Sequence, residues 1–383
     1  MVESVHRKES ERHKATPAKK GSFQIFSWGM VIMCATMKAV VWGREGRAEL
    51  VDRPIPTVQD KRDAVVRVTR SAICTSDLHI LHGAVPRAKP GVILGHEFAG
   101  EVAAVGSGVH KLSVGDRVAA NCITFCGECW FCERGYINNC ERGGWELGCR
   151  IDGCHAEYVR VPFADRGLSL LPACVTDEQA LFVGDILSTG YFGAKLCDIR
   201  PGDTVAVIGA GPVGLCSMEC ARLLGAGRIL ALDIRPDRLA FAKQRGLADE
   251  IIDCTAVDPE QAVFSLNHGR GADGVIEAAG GKDTFQTAWR IARPNASVAL
   301  IAMYEQDQTL PLPSMYGKNL IFKTGGVDAV DCDALIGLIA QGRLNTDYLI
   351  THKAPLNDIL EGYRVFGGYE DHCLKWVVTP YVR

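Results

Sequence analysis

Val205-Ala206-Val207-Ile208-Gly209-Ala210-Gly211-Pro212-Val213-Gly214 is the stretch that decides the fold. An apolar strand runs directly into G-x-G-x-x-G, and sequence compatible with a helix continues to Leu224. Gly209, Gly211 and Gly214 allow a tight turn and close approach to a pyrophosphate, whose charge a helix N-terminus favours; Pro212 and Val213 lie in the same cofactor-binding turn. A glycine pattern alone carries little weight, so the flanks matter. They agree: a second strand at residues 228–232 leads into Asp233, 19 residues after Gly214. Its carboxylate can accept from both adenosine ribose hydroxyls and would repel a 2′-phosphate, which makes NAD the expected cofactor over NADP. Arg235 and Arg238 stand just beyond, and either can lie over the adenine or ribose or be solvated surface. The alternation of strand and helix predicts a parallel sheet. The alternative to cofactor binding is the same sheet left empty.

The whole chain is too long for that unit alone. At about 100–200 residues per domain, 383 residues favour two or three domains. With 47% hydrophobic and 23% charged residues the composition is globular, and a packed core is within reach. A formal net charge of −3 and a pI of about 6.4 offer no basic excess for a nucleic acid backbone or an anionic membrane, so neither is an expected partner. Sixteen cysteines are many, yet no secretory signal opens the chain and its length needs no disulfide staples. Reduced thiols and metal ligation, in a cytoplasmic protein, are the expectation.

Residues 1–36 read as a disordered extension, because the first twenty mix basic residues with Glu3, Glu9 and Glu11 and hold almost no apolar side chains. The apolar run at 23–36 falls short of the ~20 residues needed to span a bilayer. Those acidic residues also fit a targeting segment poorly. From Met37, short β-branched runs broken by Gly and Pro, such as residues 65–69, 100–105 and 116–120, suit a barrel-like all-β unit. Beyond the glycine-rich unit come a helical stretch at 331–341 and a final strand at 373–379.

Two sets of potential metal ligands stand upstream. Cys126, Cys129, Cys132 and Cys140 follow C-x2-C-x2-C-x7-C, close enough for four thiolates to converge on one ion at about 2.3 Å. Four thiolates leave no open position, so a zinc there stabilises a lobe and does no chemistry. An iron–sulfur cluster uses the same ligands, and chance clustering is the remaining alternative. The spacing of Cys122, Cys149 and Cys154 assigns them no role beyond buried thiols. The second set is dispersed. Cys74, in Cys74-Thr75-Ser76-Asp77-Leu78-His79, and His96, in Gly95-His96-Glu97, are 22 residues apart, too far for a local finger but suited to two loops meeting at a cleft. Asp185, just ahead of the glycine-rich unit, adds a donor at the junction where a cleft would form. Singly, each fits packing or solvation as well as ligation.

Taken in order, Gly95-His96-Glu97, the four-cysteine lobe and the turn from Gly209 to Gly214 make the chain resemble the zinc-dependent medium-chain alcohol dehydrogenases from Met37 to its end. The resemblance implies an α/β protein: a GroES-like β-barrel catalytic domain, residues 37–185 plus 327–383, with an inserted Rossmann domain, a doubly wound parallel sheet, at 186–326. It implies two zinc ions per chain, a small-molecule alcohol or carbonyl substrate, and a homodimer or homotetramer. Cys74, His96 and Asp185 resemble the catalytic zinc ligands. Glu97, grouped with them, resembles the family glutamate that approaches the metal from behind, and Asp77 the carboxylate that orients the histidine. Liver-type members have cysteine where Asp185 stands. The aspartate and the run from Cys74 to His79 are similar to bacterial secondary alcohol dehydrogenases, most of which lack the four cysteines, so features of two branches combine here.

By the same resemblance Ser76 accepts the alcohol proton, His79 passes it towards solvent, and hydride leaves for the nicotinamide. An ordinary turn hydroxyl and a surface histidine are the plain alternatives for these two. The implied activity is NAD-dependent oxidation of a primary or secondary alcohol, reversible as carbonyl reduction. A polyol or sugar-alcohol dehydrogenase would show the same zinc and cofactor residues. A catalytically silent NAD-binding relative would have no need of an open metal position and would bind one zinc instead of two.

Overall fold

The computed structural model describes residues 35–381; the extension and its targeting or membrane roles therefore lie almost wholly outside the described residues. Strand Thr204–Ile208 is buried at every position, as expected for a strand covered on both faces, where the sequence reads as an unbroken apolar run. It lies inside a six-stranded parallel sheet ordered Glu250–Asp253, Arg228–Asp233, Thr204–Ile208, Ala272–Glu277, Ala292–Leu300, Ile321–Thr324. The order in which successive strands are added reverses between Thr204–Ile208 and Ala272–Glu277, and in a doubly wound sheet ligands bind at the carboxyl ends beside that point. Helix Pro212–Leu223 follows the first of these strands with Pro212 at its start, burying Leu215, Met218 and Ala221 against the sheet.

A mixed seven-stranded sheet makes the second unit. Its path runs Ile350–Pro355, Lys375–Thr379, Ala64–Ala72, Glu97–Val105, Arg117–Ala120, Leu168–Leu170, with Tyr158–Val161 also on Ala64–Ala72; the hairpin Thr36–Trp42 with Ala48–Pro54 stands beside it. Val377 pairs with Ala72, so strand Lys375–Thr379 returns to this mixed sheet after the whole parallel sheet has intervened in sequence. The architecture is GroES-like plus Rossmann, as the sequence predicts. The strands read from the β-branched runs all lie in this sheet, and the 331–341 helix is found as Cys332–Ala340. Among the described residues no helix is long and apolar enough to cross a membrane.

Register and one close approach bring the dispersed donors together. Ala72 pairs with Glu97 across two antiparallel strands, so Cys74, just past one strand, and His96, just before the other, leave the sheet at the same edge. Asp185 lies in a single wide π turn, Val183–Leu187, running into helix Ser188–Leu196; such turns are frequent at functional sites. Gly184 lets that turn lie against the strand edge, because a Cβ there would meet the Ala120 carbonyl oxygen at 1.7 Å.

Candidate active site

Cys74 Sγ, one nitrogen of His96 and a carboxylate oxygen of Asp185 lie within 4.8 Å of one another. Asp185 Oδ2 is 3.4 Å from Cys74 Sγ and 3.3 Å from His96 Nε2. With metal bonds of about 2.0–2.3 Å, ligand atoms on a tetrahedral zinc stand about 3.3–3.6 Å apart, so three donors in this arrangement fit one zinc and leave the fourth corner free. The other imidazole nitrogen agrees: His96 Nδ1 faces Asp77 Oδ1 at 3.4 Å, and neither atom has another partner among the described residues. A proton held on Nδ1 towards that carboxylate leaves the Nε2 lone pair for a cation. Asp77 is itself anchored, accepting from the Cys74 backbone N–H at 2.9 Å at the start of helix Thr75–Leu81.

Before a cation arrives the three donors perturb one another. Burial pushes the Cys74 thiol up, with Lys375 acting against it. Burial opposes charge on His96 and Asp185 as well. Asp77 and the hydrogen bond to Asp185 nevertheless hold the imidazole well above its usual range, and His96 holds Asp185 below the usual carboxylate range. A dication would take over the role of the imidazole proton and meet one thiolate and one carboxylate, a set with no net charge.

Glu97, grouped by sequence with the metal ligands, is not one of the three. Successive side chains of a strand point to opposite faces, and Glu97 opens the strand that His96 precedes. One Glu97 oxygen pairs with the Lys375 ammonium and the other has no partner among the described residues. Lys375 also donates to the Ile73 carbonyl oxygen at 3.1 Å. Both side chains are almost wholly buried. Burial pushes Glu97 up to about 7 although Lys375 acts to lower it. Sequence reasoning missed Lys375, whose signal was available: it is the one charged residue in Leu374-Lys375-Trp376-Val377-Val378.

In the cysteine lobe the sulfur separations are 3.4 Å for Cys129 and Cys132, 3.6 Å for Cys126 and Cys140, 3.9 Å for Cys126 and Cys132, and 4.0 Å for Cys129 and Cys140. Disulfides would be about 2.05 Å. A tetrahedron with bonds of about 2.3 Å has edges of about 3.8 Å, so the lobe fits a single four-thiolate zinc. Thiolates bound to separate irons of a cluster would stand wider.

A cleft of about 1340 Å³ joins the three donors to the glycine turn; Cys74, His96, Asp185, Gly209, Gly211 and Asp233 all line it. Gly209 has φ +96, and a Cβ on Gly214 would lie 1.8 Å from its carbonyl oxygen, so the turn closes only with glycine at both places. Asp233 accepts from the Ala210 and Arg235 backbone N–H groups at 2.6 and 2.9 Å, which ties the next strand to the turn and leaves further lone pairs for a ligand. Arg238 comes to the turn: a Cβ on Gly211 would be 3.3 Å from Arg238 Nη1. Pro212 and Val213 line the same cleft. Ser76 Oγ is 3.8 Å from Cys74 Sγ. His79 Nδ1 lies 2.8 Å from Glu305 Oε1, a carboxylate of the other unit that no sequence pattern announced.

Residues 60–172 match the family described as alcohol dehydrogenase GroES-like domain, and residues 212–328 match the one described as zinc-binding dehydrogenase. An alcohol dehydrogenase of Cupriavidus necator is 37% identical over 371 residues, spanning 91% of this chain and 100% of its own length. An NADP-dependent isopropanol dehydrogenase of Thermoanaerobacter brockii is 36% identical over 299 residues, 76% of this chain and 84% of that protein. Among solved structures, an alcohol dehydrogenase from Thermus sp. ATN1 is 39% identical with a TM-score of 0.84, covering 90% of this chain and 99% of that one.

Proposed function

This chain belongs to the zinc-dependent medium-chain alcohol dehydrogenases, and from that premise we propose that it interconverts a primary or secondary alcohol and its aldehyde or ketone with NAD. The observation that carries the proposal is the convergence of Cys74, His96 and Asp185 at the head of the dinucleotide cleft. We assign residues 37–185 with 327–383 to the catalytic domain and 186–326 to the cofactor domain, and place the second zinc on Cys126, Cys129, Cys132 and Cys140.

When bound, the zinc supplies an electrophile that acidifies an alcohol hydroxyl, and NAD supplies the hydride acceptor. The chain's own residues do the rest. Cys74 and Asp185 match the dication's charge, and Asp77 fixes the imidazole of His96. Ser76 takes the hydroxyl proton. With its Nδ1–H donated to Glu305, His79 keeps Nε2 as an acceptor facing the cleft, ready to pass that proton outward. The glycine turn and Arg238 receive the pyrophosphate, and Asp233 the adenosine ribose. The relative named for NADP makes that cofactor the alternative; the Asp233 carboxylate, tied to the turn by two backbone N–H groups and repelling a 2′-phosphate, favours NAD.

Steady-state rates on ethanol, 2-propanol, benzyl alcohol and sorbitol with each cofactor, alongside zinc counted per chain, test the proposal. Two zinc ions and NAD-linked oxidation of a simple alcohol are expected. Cys74→Ala or Asp185→Ala should retain one zinc and NADH binding while turnover falls by about a thousandfold or more. Undiminished turnover after loss of that zinc would overturn the mechanism.

A further inference from the structure

Resting on the dehydrogenase reading, we propose that the alcohol taken by this site carries an anionic group, a carboxylate or a phosphate, and that Arg87 receives it. Arg87 lines the same cleft as Cys74, His96 and Asp185. The carboxylates around the metal site are already committed: Asp185 to His96, Glu97 to Lys375, Glu305 to His79, and Glu146, next to Trp145, to Arg150. Arg87 has no such partner among the described residues. Its guanidinium lies instead over the face of Trp145, 5.3 Å from the ring centre. That indole meets His96 edge-on, with ring centres 5.6 Å apart. Two short steps therefore lead from the metal-facing imidazole to an uncompensated positive charge.

Three physical points turn this arrangement into a substrate class. Arg87 is exposed, its guanidinium is held in a plane by the indole and touches the Cys149 thiol, and its remaining N–H groups match the paired oxygens of carboxylate and phosphate. Trp145 Nε1 is closed off from solvent, so the indole serves as the platform for the guanidinium and not as a second donor. A plain alkyl alcohol would leave the guanidinium without a counter-charge. The cofactor's own phosphates are provided for elsewhere, at the turn from Gly209 to Gly214 and by Arg238, on the parallel-sheet unit. Arg87 belongs to the other unit, in the connection between helix Thr75–Leu81 and strand Glu97–Val105. An anion meeting it there comes with the substrate. The anion takes no part in bond making: the carbinol carbon loses hydride to NAD and the hydroxyl loses its proton, as for any alcohol.

The test uses the full-length, zinc-loaded enzyme with NAD and four alcohols: 4-hydroxybutanoate and its amide, 4-hydroxybutyl phosphate, and 1-butanol. The anionic member should exceed its neutral counterpart in kcat/KM by about tenfold or more, and whichever pair shows the larger ratio tells carboxylate from phosphate. Arg87→Met should cut that ratio by about tenfold and Arg87→Lys restore part of it. Butanoate and butanamide titrated into the enzyme–NADH complex, followed by calorimetry, should show the same preference in Kd, lost in Arg87→Met. If 1-butanol and the amide are oxidised as well as the anions, or if Arg87→Met leaves the ratio unmoved, the inference falls while the dehydrogenase reading stands. If no alcohol is oxidised with either cofactor, both fall.

Discussion

Lys375 shows how much of a site can rest on a side chain outside the set of metal donors. Its ammonium is buried against Glu97 and the Ile73 carbonyl, directly behind the strand edge that presents His96. Removing one partner of a buried pair leaves the other charge uncompensated, so Lys375→Met should destabilise the zinc-loaded protein by about 3–5 kcal/mol in denaturant unfolding. The double variant Lys375→Met with Glu97→Gln should recover much of that. Equal losses in single and double variants would show that the two charges do not depend on each other. Cys74, His96 and Asp185 were legible as residues because a thiol, an imidazole and a carboxylate have few other uses at a domain junction. The place of Glu97 was not legible: adjacency to His96 suggests a shared role, whereas the pleat of a strand separates neighbours. Glu305 is a solvated acid by every local criterion, and only the fold brings it to His79.

Strand Thr204–Ile208 was readable from end to end and helix Pro212–Leu223 to within a residue, because a covered parallel strand is an unbroken apolar run and Gly and Pro mark where it stops. The turn Val183–Leu187 left no such trace, since its shape is set by packing on Ala120 and not by its own residues. The cysteine lobe lies between these cases. Its regular structure amounts to two single turns, Cys132–Arg134 and Ile137–Asn139, and its packing is a small cluster of Cys126, Cys129 and Cys140 against Phe125, Phe131 and Phe163, with Ile137 alone buried in the main core. So little apolar contact cannot hold the lobe unaided, and metal binding contributes directly to folding. Cys132→Ser should lower the zinc content by one per chain and Tm by about 5–10 °C, with limited proteolysis cutting first near residues 126–140. Unchanged proteolysis would remove the lobe's dependence on its ion.

At the scale of the molecule, the two units are joined beside the adenosine end of the cleft as well as at the metal. Tyr369, Asp371 and His372 hold φ of 54, 48 and 52, a left-handed course that carries them onto the other unit. There Arg235 and Arg238 lie over the Tyr369 ring at 5.7 and 5.3 Å, and His372 Nδ1 is 3.0 Å from Asp237 Oδ2. The Arg235 hydrogen bond, helped by His372 and opposed by partial burial, holds the Asp237 carboxyl below its ordinary value of 3.8. A depressed carboxyl stabilises the fold above its unfolded pKa and loses that contribution as pH falls through the lower, folded one. The Tm gap between wild type and Asp237→Asn should therefore be about 2–4 °C near neutrality and narrow progressively as pH falls below 3.8. A gap constant across that range would exclude the carboxylate as its source. Sequence indicated that two units exist, but not this joint, because nothing local in Tyr369 to His372 announces a distant arginine.

Strand Lys375–Thr379 slots in beside Ala64–Ala72, so a contact such as Lys375 to Ile73 spans 302 residues. During synthesis the parallel sheet, contiguous along the chain, can close while its surroundings are still a ribbon with one open, apolar flank. The barrel is finished only when Lys375–Thr379 is free to pair with Ala64–Ala72. For that interval the nascent protein is a sticky half-product in need of shelter, and a truncation before Lys375 would make the condition permanent.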